Sequence, residues 1–252
     1  MIKLFKNIRK NMLKEGKTTN YLKYAIGEII LVVIGILIAL QVNNYNDSLN
    51  QNDLEQKALH NLKLDFDYNQ NELNKSIEEL IRIKKNSFII LNNTGSKYQT
   101  TFDMDSLIQT VATVPKFYPQ NGFLLDLINS GKLGIIKNDM LRNKLSSWLP
   151  ALETLKDREK SAINFSDYFI KYIIKNGSWL NSDEATSDED ISVLKFPKSG
   201  FEINNNDLLK NIEFENIIEN QIVYKSLLLD RHKKCLELNN EIIDLLEIEI
   251  KK

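Results

Sequence analysis

The sequence predicts an all-α protein with one N-terminal transmembrane helix followed by an exported antiparallel helical bundle whose first and last helices are long. Three observations favour this fold class. Residues 24–42 carry one charge among nineteen residues, apolar side chains then recur at helical spacing, and the chain ends in a second long periodic stretch. We therefore divide the chain into a basic cytoplasmic arm (1–23), a transmembrane helix (24–42) and an exported helical domain (43–252).

The flanking charges predict how the span is oriented. At about 1.5 Å per residue, residues 24–42 are nearly long enough to cross the hydrocarbon core of a bilayer. The arm carries seven basic residues against one acidic residue, Glu15, whereas the twenty residues after Val42 carry Lys57 as their one basic residue. The positive-inside rule then places the N-terminus in the cytoplasm and the C-terminal domain in the periplasm of a bacterial inner membrane.

A cleavable signal peptide is the alternative interpretation of a basic start followed by an apolar run. Signal peptides have a shorter apolar core and small residues in an A-x-A pattern at the cleavage site. Here Ala39 leads through Leu40 and Gln41 into Val42, without that pattern. We therefore expect a retained single-pass anchor.

Composition limits the partners and cofactors of the exported domain. Removing the net +6 of the arm and the −1 of Glu28 from the whole-chain charge of −1 leaves −6 for residues 43–252. This acidic balance argues against nucleic acid as a partner, and the basic arm is better suited to anionic lipid. Cys235 is the one cysteine, so no internal disulfide can form. We predict no cofactor.

Two segments resemble an uncharacterised family. The run YAIGEIILVVIGILIALQVNN at Tyr24–Asn44 resembles the anchor, of GEIxLVxxGILIALQ type, in a Bacteroidota family of single-span proteins catalogued as a domain of unknown function. INSGKLGIIKN at Ile128–Asn138, with Leu141, Arg142 and Leu145, resembles a second segment of that family. The chain departs from the family at Tyr45, where tryptophan is expected. The resemblance implies location but no chemistry.

The first exported helix is predicted to continue out of the span and to end at Asn92–Ser96, with a plausible hinge at Asn43–Asn52. Shorter helices follow, from Asp103 or Asp105 to Val114 and over Gly122–Asn129. A longer helix begins after the N-cap Asn138 and ends at Gly177, and Pro150 should kink or divide it. Residues 181–206 are irregular, with an acidic patch at Asp183–Asp190 and a possible short strand around Val193–Phe196.

The last forty residues contain a coiled-coil heptad pattern. One stripe runs through Phe214, Ile217, Gln221, Tyr224, Leu228, Arg231, Cys235, Leu238, Ile242, Leu245 and Glu249. A second lies beside it: Ile218, Ile222, Leu229, Leu236, Ile243 and Ile250. Two adjacent stripes are too wide for a two-stranded coil, so we expect this helix to pack antiparallel to the Leu59–Leu91 helix within a bundle.

Candidate contact residues lie inside the span. Glu28 is an ionisable group within an apolar segment, which by default suggests function. It could contact a partner or another copy, extend to the interface, or handle protons. Gly27, Gly35 and Ala39 offer a small-residue face for close helix packing.

Other candidate chemistry is sparse. His60 and His232 are too few and too far apart to predict a metal site, and Cys235 lies on the apolar stripe as a structural thiol. Aromatic residues of the middle helices should fill the core, and they could also line a small apolar pocket: Trp148, Phe165, Phe169, Tyr172 and Trp179.

Three function classes follow from these features. The first is a membrane-anchored periplasmic interaction or scaffold protein that self-associates or binds another envelope protein, and this is the class we expect. The second is a periplasmic ligand-binding sensor module that acts through a partner. An enzyme is disfavoured, because no nucleophile is accompanied by a suitably placed base.

Overall fold

The computed structural model describes residues 18–99, 102–185, 193–197 and 199–251. Residues 1–17 of the predicted arm lie outside this range, as do Asp188, Glu189 and Asp190 of the acidic patch. Throughout the described residues the regular structure is helical, with no strand, which confirms the all-α class. The chain divides into two compact units at Lys57/Ala58.

Helix α1 spans Thr18–Leu91. The hinge considered at Asn43–Asn52 is absent, because no glycine or proline occurs between Gly35 and Gly95. Side-chain bonds one turn apart also support the helix there, from Asn43 Nδ2 to Asp47 Oδ2 at 3.0 Å and from Lys57 Nζ to Asp53 Oδ2 at 2.7 Å. The predicted stop is confirmed, since Gly95 has a positive φ of 59° that most other residues avoid.

Three shorter segments follow α1. Helix α2 spans Asp105–Ala112 and helix α3 spans Gly122–Asn129, which confirms both predicted helices to within two residues. Residues 113–121 between them have no regular secondary structure and contain Pro115 and Pro119. We call residues 113–121 the strap.

Helix α4 spans Asp139–Asn176, and Asn138 caps it as predicted by accepting a hydrogen bond from Leu141 N at 3.0 Å. Pro150 lies inside α4 and does not divide it. Gly177 follows the last helical residue in an extended conformation, and a Cβ atom at this position would clash with Asn205 Oδ1.

The region after α4 corrects two expectations. Helix α5 spans Trp179–Ala185 and so overlaps residues 181–206, which we expected to be irregular. The strand around Val193–Phe196 is wrong, because Val193 and Leu194 form a turn and residues 195–197 are irregular. Both of those turn residues are exposed, so no strand partner covers them.

Helix α6 spans Ile212–Ile250. The start of α4 contacts the end of α6, and the end of α4 contacts the start of α6. The bonds are Asn138 to Glu249, Lys144 to Glu241 and Tyr168 to Glu213, at distances of 2.7, 2.6 and 3.3 Å. Helix α1 also contacts α6 in the reverse direction, because the earlier residue Lys63 pairs with the later residue of α6. Lys63 Nζ lies 3.4 Å from Glu247 Oε1, and Gln70 Nε2 donates to Asn240 Oδ1 at 2.8 Å.

Two apolar clusters form the core of the second unit. The larger is centred on Phe66, Trp148 and Leu228, and the smaller on Phe169, Phe214 and Ile217. Where these clusters meet on α4 and α6, four of the buried residues are polar: Glu159, Ser166, Gln221 and Lys225. This layer marks where the structure departs most from the apolar pattern.

Candidate functional site

The predicted span contacts lie in the first unit. Apolar side chains from Ile29 to Val42 are between 46% and 64% exposed, without an interruption longer than one small or polar residue. A Cβ atom built on Gly27 or Gly35 would meet no atom of the described chain within 4 Å. Ala39 is also exposed, and Glu28 is partly exposed. The four residues therefore lie on a helix surface where another molecule could pack.

The predicted aromatic pocket residues do not all come together. Trp148 belongs to the larger cluster, 5.1 Å from the Phe66 ring and 6.4 Å from the Phe117 ring. Phe169 and Tyr172 belong to the smaller cluster, against which Phe165 and Trp179 are packed. Four of the five residues thus share one region, and Trp148 lies in another. A pocket along them stays a prediction.

The strap is bound to the long helices through its backbone. Ser166 Oγ and Lys225 Nζ donate to the carbonyl oxygens of Ala112 and Thr113, each at 2.5 Å. Phe117 N donates to Glu159 Oε1 at 2.8 Å. An extended segment has no secondary-structure partners for its backbone groups, so buried side chains must provide them. This requirement explains the polar layer between the apolar clusters.

Helix α1 binds the other end of the strap. The Asn69 amide makes two hydrogen bonds to Gln120, accepting from its N–H and donating to its carbonyl oxygen, both at 2.7 Å. Beyond the strap, Phe123 N donates to Asp65 Oδ2 at 3.3 Å. Asn69 is fully buried and Asp65 nearly so. Together with α4 and α6, α1 therefore surrounds this segment with polar partners.

Lys225 is the most unusual group in the layer. Its side chain is fully buried, and the partner of its Nζ within the described chain is the Thr113 carbonyl oxygen. Burial lowers the pKa of Lys225 to about 7, because the interior disfavours an ammonium ion. Near neutral pH this amine is therefore poised between its neutral and charged forms.

His232 and Glu159 are two further titratable residues, and their side chains lie close together. The Nδ1 atom of His232 lies 3.1 Å from the Leu228 carbonyl oxygen and so carries a proton there. Its Nε2 is buried without a hydrogen bond, 4.0 Å from Glu159 Oε1. Burial lowers the pKa of His232 and raises that of Glu159. Each interior position therefore favours the uncharged form of its residue.

Cys235 is buried on α6, as the sequence predicts. Burial raises the pKa of this thiol to about 11, and the nearby Arg231 offsets only part of the effect. Because the thiolate is the nucleophilic form, a thiol of this kind is unreactive near neutral pH.

A separate acidic cleft of about 420 Å³ is lined by Asp103, Asp105, Asn181 and Glu184 together with Ala185 and Ser199. Burial raises the pKa of Asp105, while the amide of Asn205, 2.5 Å from Asp105 Oδ1, partly offsets this. Within the described ranges no three His, Cys, Asp or Glu side chains are arranged to hold a metal ion. Polar protein groups already bind Asp105 here, so the cleft does not define a ligand.

Comparison with known proteins finds similarity in one part of the chain. A family model described as "Family of unknown function (DUF6090)" matches residues 28–150, just under half of the chain. The chain is therefore similar over this segment to an uncharacterised family, which supports the resemblance seen in the sequence. The matched segment includes the strap and ends before Glu159 and Lys225. No curated protein and no solved structure matches the chain.

The described structure is that of a helical protein with one candidate membrane span. Helix α1 of the described chain is long and apolar enough to cross a membrane by its length and composition. The other regular secondary structure of the described chain is also helical.

The sequence could have indicated that polar residues of α6 are buried, because Lys225, His232, Asn239 and Leu246 follow one another at seven-residue steps. A search for apolar residues alone passes over the first three.

Proposed function

We propose that the chain is a membrane-anchored helical interaction protein of the bacterial inner membrane, with its N-terminus in the cytoplasm and residues 43–252 in the periplasm as an antiparallel bundle. The exposed apolar run from Ile29 to Val42 carries this proposal. Apolar surfaces of this extent are rarely left in contact with water. Lipid hydrocarbon covers such a helix without any further protein.

The orientation rests on charge. Lys and Arg dominate the residues before the span, and the segment after it is poor in both. Exchanging these flanks across the membrane would contradict the charge bias that sets topology in bacterial proteins. The resemblance to a Bacteroidota family with an anchor of the same type supports the same location.

An interaction role fits the described chemistry better than catalysis. The buried polar side chains bind the protein's own strap backbone, and the buried thiol of Cys235 is held in its neutral form. In the span, Glu28 lies among Gly27, Gly35 and Ala39, which allow close approach of another helix. We propose a second copy of the chain or another envelope protein as the partner.

Topology is tested with single cysteines in a Cys235→Ser background. Lys160 is exposed on α4, so Lys160→Cys should react with a membrane-impermeant maleimide in intact spheroplasts. Lys14→Cys should react only after the membrane is lysed. Alkaline washing of the membranes should leave both variants in the pellet, as expected for a spanning helix.

The labelling pattern separates the outcomes. Reaction of Lys14→Cys before lysis, with protection of Lys160→Cys, would refute the orientation. Release of the protein by alkaline washing would refute the anchor itself. A variant with Cys235→Ser alone controls for labelling of other groups.

A further inference from the structure

The strap depends on a small number of bonds. Its backbone bonds to the side chains of Lys225, Glu159 and Asn69. Among residues 113–121, Phe117 is the one whose side chain is buried. We propose that the strap is a proton-responsive switch, closed over the helices while Lys225 is a neutral amine and open when that amine takes up a proton. This proposal does not depend on the membrane anchor.

The geometry around Lys225 gives the direction of the switch. An ammonium group has three N–H donors, whereas the closed strap offers Lys225 Nζ the Thr113 carbonyl oxygen at 2.5 Å. Within the described chain, burial lowers the pKa of Lys225 without a nearby carboxylate to oppose it. A buried charge without a counter-ion is costly. Moving the strap admits water to the charged group, so protonation favours the open form.

Other titratable groups act on the same segment. From α4, Glu159 accepts the Phe117 N–H, and Lys116 of the strap and Lys156 of α4 both partly stabilise its charge. From α6, His232 Nε2 faces Glu159, and burial opposes the charging of His232 as it does that of Lys225.

A protonated Glu159 keeps an oxygen that can accept from Phe117, so protonation here need not release the strap. From α1, Asp65 binds Phe123 outside the strap. Lys225 is therefore the group whose charge the closed strap opposes most directly near neutral pH.

Opening of the strap would have a measurable consequence. The Phe117 ring packs edge-on against Trp148, which is fully buried, at 6.4 Å between ring centroids. Withdrawal of Phe117 would expose an apolar surface around Trp148 to solvent or to a partner. Trp148 therefore reports on the strap, provided that the second tryptophan is removed by Trp179→Phe.

The test measures backbone hydrogen exchange of the full chain in mild detergent between pH 7 and pH 9. We expect protection of the Phe117 and Gln120 amides, relative to intrinsic exchange, to rise with pH by more than tenfold. The maximum for one linked proton is about 100-fold over two pH units. The Leu228 amide in the centre of α6 should stay better protected than these two amides at each pH, because its exchange requires global unfolding. Acrylamide quenching of Trp148 in the Trp179→Phe variant should be stronger at pH 7 than at pH 9.

Two variants of Lys225 bias the switch in opposite directions. Lys225→Met cannot take up a proton and should keep the strap amides protected at both pH values. Lys225→Arg stays charged and should leave them weakly protected at both. Lys233→Met removes an exposed lysine of the same helix and should behave like the wild type.

Several results would overturn the switch. One is wild-type protection of Phe117 and Gln120 that does not change between pH 7 and pH 9, which needs no variant to interpret. Another is protection of Phe117 and Gln120 that equals the protection of Leu228 at each pH, because the strap would then open only by global unfolding. A third is an unchanged pH profile in a folded Lys225→Met variant.

Discussion

The two most unusual regions of the molecule are opposites. Between Ile29 and Val42 the apolar side chains are exposed, whereas between α4 and α6 polar side chains such as Lys225 and His232 are fully buried. Each arrangement reverses the usual distribution of residues. The buried groups have partners within the chain, which are the Thr113 carbonyl oxygen for Lys225 and the Leu228 carbonyl oxygen for His232. The apolar side chains from Ile29 to Val42 stay exposed in the described chain.

This contrast shows what each region requires. Apolar surface is non-directional and is satisfied by any hydrocarbon, which fits a lipid environment. A buried polar group needs a partner at a defined distance and angle. The strap region should therefore tolerate few changes, while membrane binding by residues 24–42 should tolerate any change that preserves their hydrophobicity.

The largest expected effect comes from placing a charge in the buried region. Leu228 is fully buried and its neighbour Leu227 is 42% exposed on the same helix. Leu228→Asp should lower the free energy of unfolding by about 3–5 kcal/mol, because the new carboxylate has no counter-ion. Leu227→Asp should change it by no more than about 0.5 kcal/mol.

Urea unfolding in mild detergent, followed by far-UV circular dichroism, compares these two variants. Equal effects would mean that α6 does not bury the face described. Leu238, which the sequence assigns to the central stripe, is only partly buried. Leu238→Asp should therefore fall between the two.

A smaller effect should appear as a pH dependence of global stability. Burial lowers the pKa of Lys225 to about 7 in the folded protein, below the value of about 10.4 expected for an unfolded lysine. Between these values the unfolded chain binds more protons, so stability should increase as pH rises. The maximum slope from one group is about 1.4 kcal/mol per pH unit.

Urea unfolding of the wild type and of Lys225→Met at pH 7, 8 and 9 measures this slope. The variant should show a flatter profile and greater stability at pH 7. The comparison with Lys233→Met removes the contribution of an exposed lysine. Parallel profiles in the wild type and Lys225→Met would show that the buried amine does not titrate in this range.

The sequence predicts the helices better than it predicts their interior. Apolar periodicity and the caps at Asn138 and Gly177 were sufficient to locate α3 and α4, because these features depend on neighbouring residues. On α1, apolar residues at helical spacing predict a buried stripe: Leu59, Leu62, Phe66, Leu73, Ile77, Leu80, Phe88 and Leu91. This stripe holds from Leu59 to Leu80. It fails at Phe88, which is 43% exposed, while Ser87 is buried.

The failure at Phe88 has a physical reason. Ser87 bonds its hydroxyl to the Ile83 carbonyl oxygen at 3.0 Å, which makes burial of this polar residue acceptable. The strap partners were missed for a related reason. Lys225 and Glu159 are charged types that usually face solvent, and their burial depends on Thr113 and Phe117, which lie more than forty residues away in the chain. Local patterns carry no information about such distant partners.

The smallest expected effect concerns association of the span. Small residues allow helix backbones to approach, and a polar contact adds to this where lipid offers no hydrogen bonds. Gly35→Leu should block the approach sterically and reduce assembly, since space beside Gly35 is open in the isolated chain. Glu28→Gln should preserve the shape while removing the charge, and should weaken association by about 1 kcal/mol.

The comparison variant for association replaces residues 24–42 by a plain leucine-alanine span and leaves the rest of the chain intact. Assembly size in mild detergent is then measured by sedimentation for the wild type, both point variants and the replaced span. We expect the replaced span to remain membrane-bound but to give smaller assemblies than the wild type. Equal assemblies in all four proteins would mean that Gly35 and Glu28 make no contact with a partner. Self-association would then have to use the helices of residues 58–252, where the exposed side chains of Ile81 and Phe88 are the first positions to substitute.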